Sequence, residues 1–569
     1  MGNRKVRTPL SILLPICLAT FAAHAQSFRV QCPTSTITHP STVTNVNAEP
    51  AYNGPTVFAT VPVANGQGGY LTPTSNVNGA IKCQQISGGD GYSTMADGTQ
   101  TFMFSFGPLS GLADIANGLP GTQFPTAFNS LYPYPTPLQP GDPATTDKAS
   151  DSPYTQGGYQ EGAPGAFAWN GAVGLVPDVD ANNGSGTAGA LIDGHVDPRQ
   201  IMDVGVMNGN IPAPLIGIDE DDELFLTLTN VGMIMRPDLF EQHTVHFHGY
   251  PNASSFYDGV PDASVAINIG GSFTYYYLSP DAGTYFYHCH ITPPEHLQMG
   301  MVGQLYVRPR QNRLASGTSL YAGLQFQQSD LRTACSPAND ILCSATLPAI
   351  NTGTAQGPDK LGNPQKYAYN DGDGSTAYDV EYPLQMHGFD PNFHFVGMTF
   401  NPEAFVDMKD KYFLLNGRSY PDTVRPGPQA TQSSDGKMHY SQPLPAIINI
   451  PVGGKALLRL VNLSVSEYHT IQSLGVPMKV VGWNAKLLRD QEGNNTEYYT
   501  NSITLGGGES LDAILDASNT ALFQPGQVFY LYSPNLDHLS NDAENFGGLM
   551  TEVHICNSVS SSTFGNTCN

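Results

Sequence analysis

The stretch HCHITPPEHLQMGM, residues 288–301, holds His288, Cys289, His290, His296, Met299 and Met301. A second run, HTVHFHG at 243–249, adds His243, His246 and His248. Alternate side chains of an extended strand share a face, so His288 and His290 point one way and Cys289 the other. The same alternation puts His246 and His248 together. Two such pairs on neighbouring strands present four imidazoles to one space, while Cys289 looks into another. Imidazole suits copper, iron or zinc, and thiolate with thioether selects copper. His243, Cys289, His296 and Met301 make a two-histidine, one-cysteine set with a weak axial thioether, a site that passes single electrons with little rearrangement. Met299 is the alternative axial ligand. Zinc is the competing metal, but one thiolate with a thioether departs from its usual structural sets. His195, His387, His394, His439, His538 and His554 lack such spacing and read as ordinary surface or core residues.

The elements that must position these groups are strands. Alternation recurs in TFMFSFG (101–107), ELFLTLTN (223–230), SFTYYYL (272–278), GQLYVRP (303–309), KALLRLVN (455–462) and QVFYLYS (527–533), with turn residues between them. Helical periodicity is scarce, and 60 Gly and 45 Pro with only 13% charged residues suit short strands and long loops, which favours β-sandwiches. The chain also repeats itself. VMNGNIPAPLIGIDEDDELFLTLTN (206–230) is matched by LLNGRSYPDT (414–423) and INIPVGGKALLRLVN (448–462), HTVHFHG by HTIQSLG (469–475), and YFYHCHI (285–291) by YLYSPNL (530–536). Two copies of one β-domain explain this. In that alignment His469 matches His243, but Gln472 and Leu474 replace His246 and His248. Ser533, Pro534 and Asn535 stand for His288, Cys289 and His290, so the second copy has lost nearly all the chemistry.

The chain opens with Arg4, Lys5 and Arg7, an apolar run and the small-residue site Ala23-His24-Ala25, a signal peptide cleaved after Ala25. Export, periplasmic or extracellular, is expected, and no later stretch approaches the roughly 20 apolar residues that span a membrane. Losing three cations takes the formal charge from −24 to −27, which argues against nucleic acid or a membrane as partner. Of eight cysteines, seven remain after cleavage. Proximity pairs Cys335 with Cys343 and Cys556 with Cys568, elimination pairs Cys32 with Cys83, and Cys289 is left over.

At these residues the chain resembles the multicopper oxidases, laccase-like proteins of cupredoxin fold, in a two-domain form with a degenerate second domain. MNGNIPAPLI, HTVHFHG, FYDGVP, GTYFYHCHI and HLQMGM carry the resemblance, supported by LLNGRSYPDT and LLRLVN. It implies an all-β fold of two cupredoxin-like Greek-key β-sandwich domains with long loop insertions. The expected layout is a signal peptide (1–25), an N-terminal extension (26–94), a copper-bearing first domain (95–310, with a long insertion at about 109–200), a linker (311–384) and a second domain without copper ligands (385–569). By position, His243, Cys289, His296 and Met301 look like type 1 copper ligands, His246 like the type 2 ligand, and His248, His288 and His290 like type 3 ligands. Asp258 in FYDG resembles an acid that aids proton delivery; a turn-forming Asp before Gly259 is the bland alternative.

The resemblance implies an oxidoreductase that takes electrons from a small-molecule, metal-ion or protein donor at type 1 copper. They would pass through Cys289 and its flanking histidines to a second copper centre, with dioxygen as acceptor. Two departures stand out. His296 follows Cys289 by seven residues, a longer loop than usual in the family, with Pro293 and Pro294 looking like an insertion. A trinuclear cluster also draws histidines from two facing domains, and here one domain supplies them, which leaves a homo-oligomer open. An exported blue-copper electron carrier or copper-binding protein without catalysis is the second expectation. Copper nitrite reductase is the third, disfavoured by His246 and His290.

Overall fold

The computed structural model describes residues 30–40, 56–59, 72–111, 114–115, 118–128, 207–233, 241–250, 254–279, 281–314, 357–397, 404–432 and 438–569. The expected signal peptide, most of the 109–200 insertion and the Cys335 to Cys343 pairing lie outside these residues. Among the described residues no helix is long and apolar enough to cross a membrane.

Strands dominate, as expected. In the first half they are β1 (Ile81–Thr94), β2 (Gln100–Pro108), β3 (Ile216–Asp219), β4 (Glu223–Gly232), β5 (His246–His248), β6 (Ser272–Leu278), β7 (Gly283–His288) and β8 (Val302–Arg308). One sheet runs β2-β1-β4-β6, with Met207–Gly209 beside β1, and the other runs β3-β8-β7-β5. Ile86, Phe104, Leu226 and Tyr275 of the first sheet share one buried core with Ile216, Phe247, Tyr287 and Leu305 of the second. In the second half come β9 (Val380–Phe389), β10 (Tyr412–Leu415), β11 (Ile448–Pro451), β12 (Lys455–Asn462), β13 (His469–Leu474), β14 (Met478–Trp483), β15 (Ser502–Leu505), β16 (Ser510–Asp516), β17 (Val528–Tyr532) and β18 (Met550–Cys556). Their sheets run β10-β9-β12-β16-β14 and β11-β18-β17-β13-β15, with two short strands extending the first beyond β14.

The two halves share their wiring. The parallel pairs β1/β4 and β3/β8 recur as β9/β12 and β11/β18. This is the internal repeat seen as hydrogen bonding, and it corrects one register. Cys289 N–H donates to Met301 O at 3.0 Å, while Ser533 N–H donates to Leu549 O at 2.9 Å. His288 pairs with His246, and Tyr532 with Gln472. Cys289 is therefore matched by Ser533, His288 by Tyr532 and His290 by Pro534, one residue off the alignment on shared tyrosines. A one-residue slip flips every side chain to the other face, so the difference decides which residues point inward.

Ile81–Thr94 falls in the stretch expected as an extension, yet it is a central strand of the first sandwich. Its ladder with β4 is parallel over most of its length, and β2 flanks it on the other side. A disulfide from Cys32 to Cys83 ties the described residues 30–40 to it, and Cys556 pairs with Cys568, both as expected. Cys289 is free and buried.

The halves meet through a buried polar seam. Thr284 Oγ1 donates to Asp512 at 2.6 Å, and Gln304 Nε2 to Arg459 O at 2.8 Å. The Arg459 guanidinium, fully buried, lies 3.2 Å from Glu381 and 3.6 Å from Asp512 and sits over the Tyr306 ring. Arg308 donates to the same Glu381 through Nε at 3.0 Å.

Candidate metal centre

β5 and β7 are adjacent and antiparallel, so their inward residues are brought side by side. The alternation of the HCH run then does what strand geometry dictates. Cys289 joins His243 and His296 in one buried group, and His246, His248 and His288 form another; within each group the candidate ligand atoms lie within 4.8 Å of one another.

In the first group the Cys289 sulfur is 3.2 Å from His296 Nδ1 and 3.9 Å from His243 Nδ1. All three residues are fully buried. The Thr244 amide also donates toward the sulfur at 3.4 Å. Met301 and Met299 are both buried in the same core cluster as Cys289, and Met301 is tied to it through the backbone pair. Pro293 and Pro294, expected as a loop insertion, begin a short helix, α1 (Pro293–Gln298). Proline suits a first helical turn because its missing N–H would have no partner there. The helix delivers His296 to the sulfur.

Two residues that the sequence reading passed over shape this group. Glu241 bonds His296 Nε2 at 3.0 Å, leaving Nδ1 turned to the sulfur. Such a carboxylate fixes ring orientation and tautomer. Gly88 of β1 lies against the His243 ring, where a Cβ would fall 2.6 Å from Cδ2. Glu241 had a faint signal, since Glu467 precedes His469 in the second copy by the same two residues.

Charge favours a cation here. Burial depresses His243 well below its usual pKa, and the neighbouring His296 adds to this. Burial also opposes charge on His296, but the Cys289 sulfur and the Glu241 carboxylate outweigh it and push its pKa up to about 10. The pair compensates positive charge placed between them, whether a proton or a metal ion.

The second group is more open. His288 is buried, His246 half-buried and His248 exposed. His248 Nε2 lies 3.0 Å from His288 Nε2, and the His290 ring sits 5.0 Å from that of His246 and 5.4 Å from that of His288. The four expected imidazoles are thus together. Burial, then His248, holds His288 well below its usual pKa, leaving a neutral imidazole able to bind a metal. His246 Nδ1 donates to Asp258 O at 2.7 Å, with the Asp258 carboxylate 3.6 Å away. Asp258 thus stands beside the histidines, and it also precedes Gly259, whose φ is +84°. The second sandwich meets this face at Gly508, where a Cβ would lie 2.7 Å from His248 Nδ1. Among the described residues it contributes no histidine to the group.

Residues 193–312, which contain every one of these candidate ligands, match the multicopper oxidase family model. This segment is similar to the multicopper oxidases. A laccase of Aspergillus fumigatus is 35% identical over 109 residues, which are 19% of this chain and 17% of that protein. A multicopper oxidase of Mycobacterium tuberculosis is 31% identical over 131 residues, 21% of this chain and 24% of its own length. The L-ascorbate oxidase of Cucumis sativus is 34% identical over 113 residues, with 19% and 17% covered. The chain thus spans about a fifth of the length of the relatives it matches. The blue copper oxidase of Nitrosomonas europaea aligns with a TM-score of 0.39 at 22% identity, covering 61% of this chain and 78% of that one.

Proposed function

We propose that the chain is an exported copper-dependent oxidoreductase, with a copper-bearing first domain and a second domain that lacks the first's sulfur ligands and its face of four histidines. His243, Cys289 and His296, with Met301 as axial thioether, would hold type 1 copper. His246, His248, His288 and His290 would hold further copper. The observation that carries this reading is the convergence of one free buried sulfur on two imidazole Nδ1 atoms, 3.2 and 3.9 Å away. That donor set suits copper better than zinc. Bound copper would supply one-electron cycling between cuprous and cupric forms. The chain's part is to hold His243 and His288 neutral by burying them and to exclude water from the sulfur. Cys289 also links the two groups through the bonds to His288 and His290. A small-molecule, metal-ion or protein donor and dioxygen as acceptor complete the proposal, with Asp258 placed to hold a proton near His246.

One observation favours a second reading, an exported electron carrier without oxidase activity. The strands of the second sandwich that correspond to the histidine face carry Gln472, Leu474, Tyr532 and Pro534 there. A copper-reconstituted chain decides between them. Several coppers per chain with oxygen uptake from a phenolic donor support the oxidase; about one copper and no uptake support the carrier. In either case Cys289→Ser removes the intense visible band and the copper at the sulfur; colour surviving that change would sink both.

A further inference from the structure

The second sandwich holds a buried pair of histidines that the copper reading leaves unused. His469 matches His243 in register, and His538 follows β17 as His296 follows β7. His538 Nε2 bonds Glu467 at 2.8 Å, as His296 Nε2 bonds Glu241 at 3.0 Å. The rings of His469 and His538 have centroids 4.9 Å apart at 66°, against 5.2 Å and 62° for His243 and His296. Ser533 stands where Cys289 does, and Leu549 where Met301 does. The frame has lost both sulfurs and kept both nitrogens and the carboxylate behind one of them.

His469 Nδ1 lies 3.4 Å from His538 Nδ1, and Ser533 Oγ lies 3.4 Å from the same His538 nitrogen. These separations are long for direct hydrogen bonds, which cluster near 2.7–3.0 Å. Ligands held about 2.0–2.1 Å from a tetrahedral ion stand roughly 3.3–3.4 Å apart. The outer nitrogens are already engaged, His538 Nε2 by Glu467 and His469 Nε2 by Ser464 Oγ, so both Nδ1 atoms face inward. The Asn535 amide donates to Ser533 Oγ at 3.3 Å, which leaves that oxygen a free lone pair. Ser533 and His469 are fully buried, and His538 nearly so.

We propose that His469 Nδ1, His538 Nδ1 and Ser533 Oγ form a second, sulfur-free site for a divalent ion that favours nitrogen and oxygen donors, zinc or cupric copper. The full-length Cys289→Ala chain, which lacks the first site's sulfur, is the background for the test. Zinc titrated against a chromophoric chelator should fall by about one equivalent per chain when His538→Gln is added. An unchanged zinc count overturns the proposal. Adding Ser533→Cys to the same background puts a thiolate beside His538 Nδ1. With cupric ion it should give an intense sulfur-to-copper band that Cys289→Ala alone lacks. A Ser533→Cys chain whose urea midpoint matches its parent but shows no such band overturns it equally. The visible band of the chain with Cys289 intact reports the first site separately.

Discussion

At the scale of single residues, the first candidate metal group was legible because its donors are rare types in a spacing that only a strand makes sense of. Cys289 was the odd cysteine, and its neighbours alternate with it. Glu241 was not legible in the same way, because an acid two residues before a histidine is ordinary at the surface. Only the register of the second copy shows it as a repeated device. Its role predicts that Glu241→Gln, which keeps the shape and removes the charge, lowers copper affinity at the Cys289 group by about 10–100-fold. A copper titration by visible absorption checks this, while an unchanged urea midpoint separates it from loss of fold. Gly88 was equally silent. Glycine in a strand reads as a weakness, whereas here it admits the His243 ring where a Cβ would clash.

At the scale of elements, the strands with clean alternation were found nearly to the residue, SFTYYYL and KALLRLVN among them. Strand β1 was missed for a physical reason. IKCQQISGGDGYST carries three glycines and little alternation, and it is buried almost throughout, so period two has nothing to report. Helix α1 was missed because six residues are too few for helical periodicity. That helix is gripped from the second sandwich. Gln298 Nε2 donates to Asp410 at 2.9 Å, and its Oε1 accepts from the Asp390 amide at 2.9 Å. Gln298→Ala should therefore cost about 1–3 kcal/mol and broaden the visible band, since α1 carries His296. Urea denaturation and the copper spectrum, taken on one sample, test both parts.

At the scale of the whole molecule, the two sandwiches were legible as a repeat, but the buried charges between them were not, because partners far apart in sequence leave no local pattern. Glu381 there serves Arg308 and Arg459 together. Glu381→Gln leaves a buried guanidinium short of its counter-ion and should lose about 3–5 kcal/mol in urea denaturation. The same boundary predicts an acid response. His387 and His394 bond Leu297 O and Gln298 O, and burial lowers them to about 4 and about 3. Depressed histidines cost nothing above the unfolded value of 6.5, where both states are neutral. As pH falls below it the unfolded chain takes the protons first, so stability drops by about 1.4 kcal/mol per unit for each group. Asp410, pushed up to about 7 by burial, works in the opposite sense. The difference between the parent and a His387→Gln, His394→Gln chain isolates the histidine part. From pH 6.5 to 4 the parent should lose more stability than the variant.

The HCH run adds a thermal consequence. Because one stretch of backbone lines both chambers, neither can be dismantled while the other persists. Warming the copper-loaded chain should bleach its colour and release the histidine-held ions in a single coincident melt.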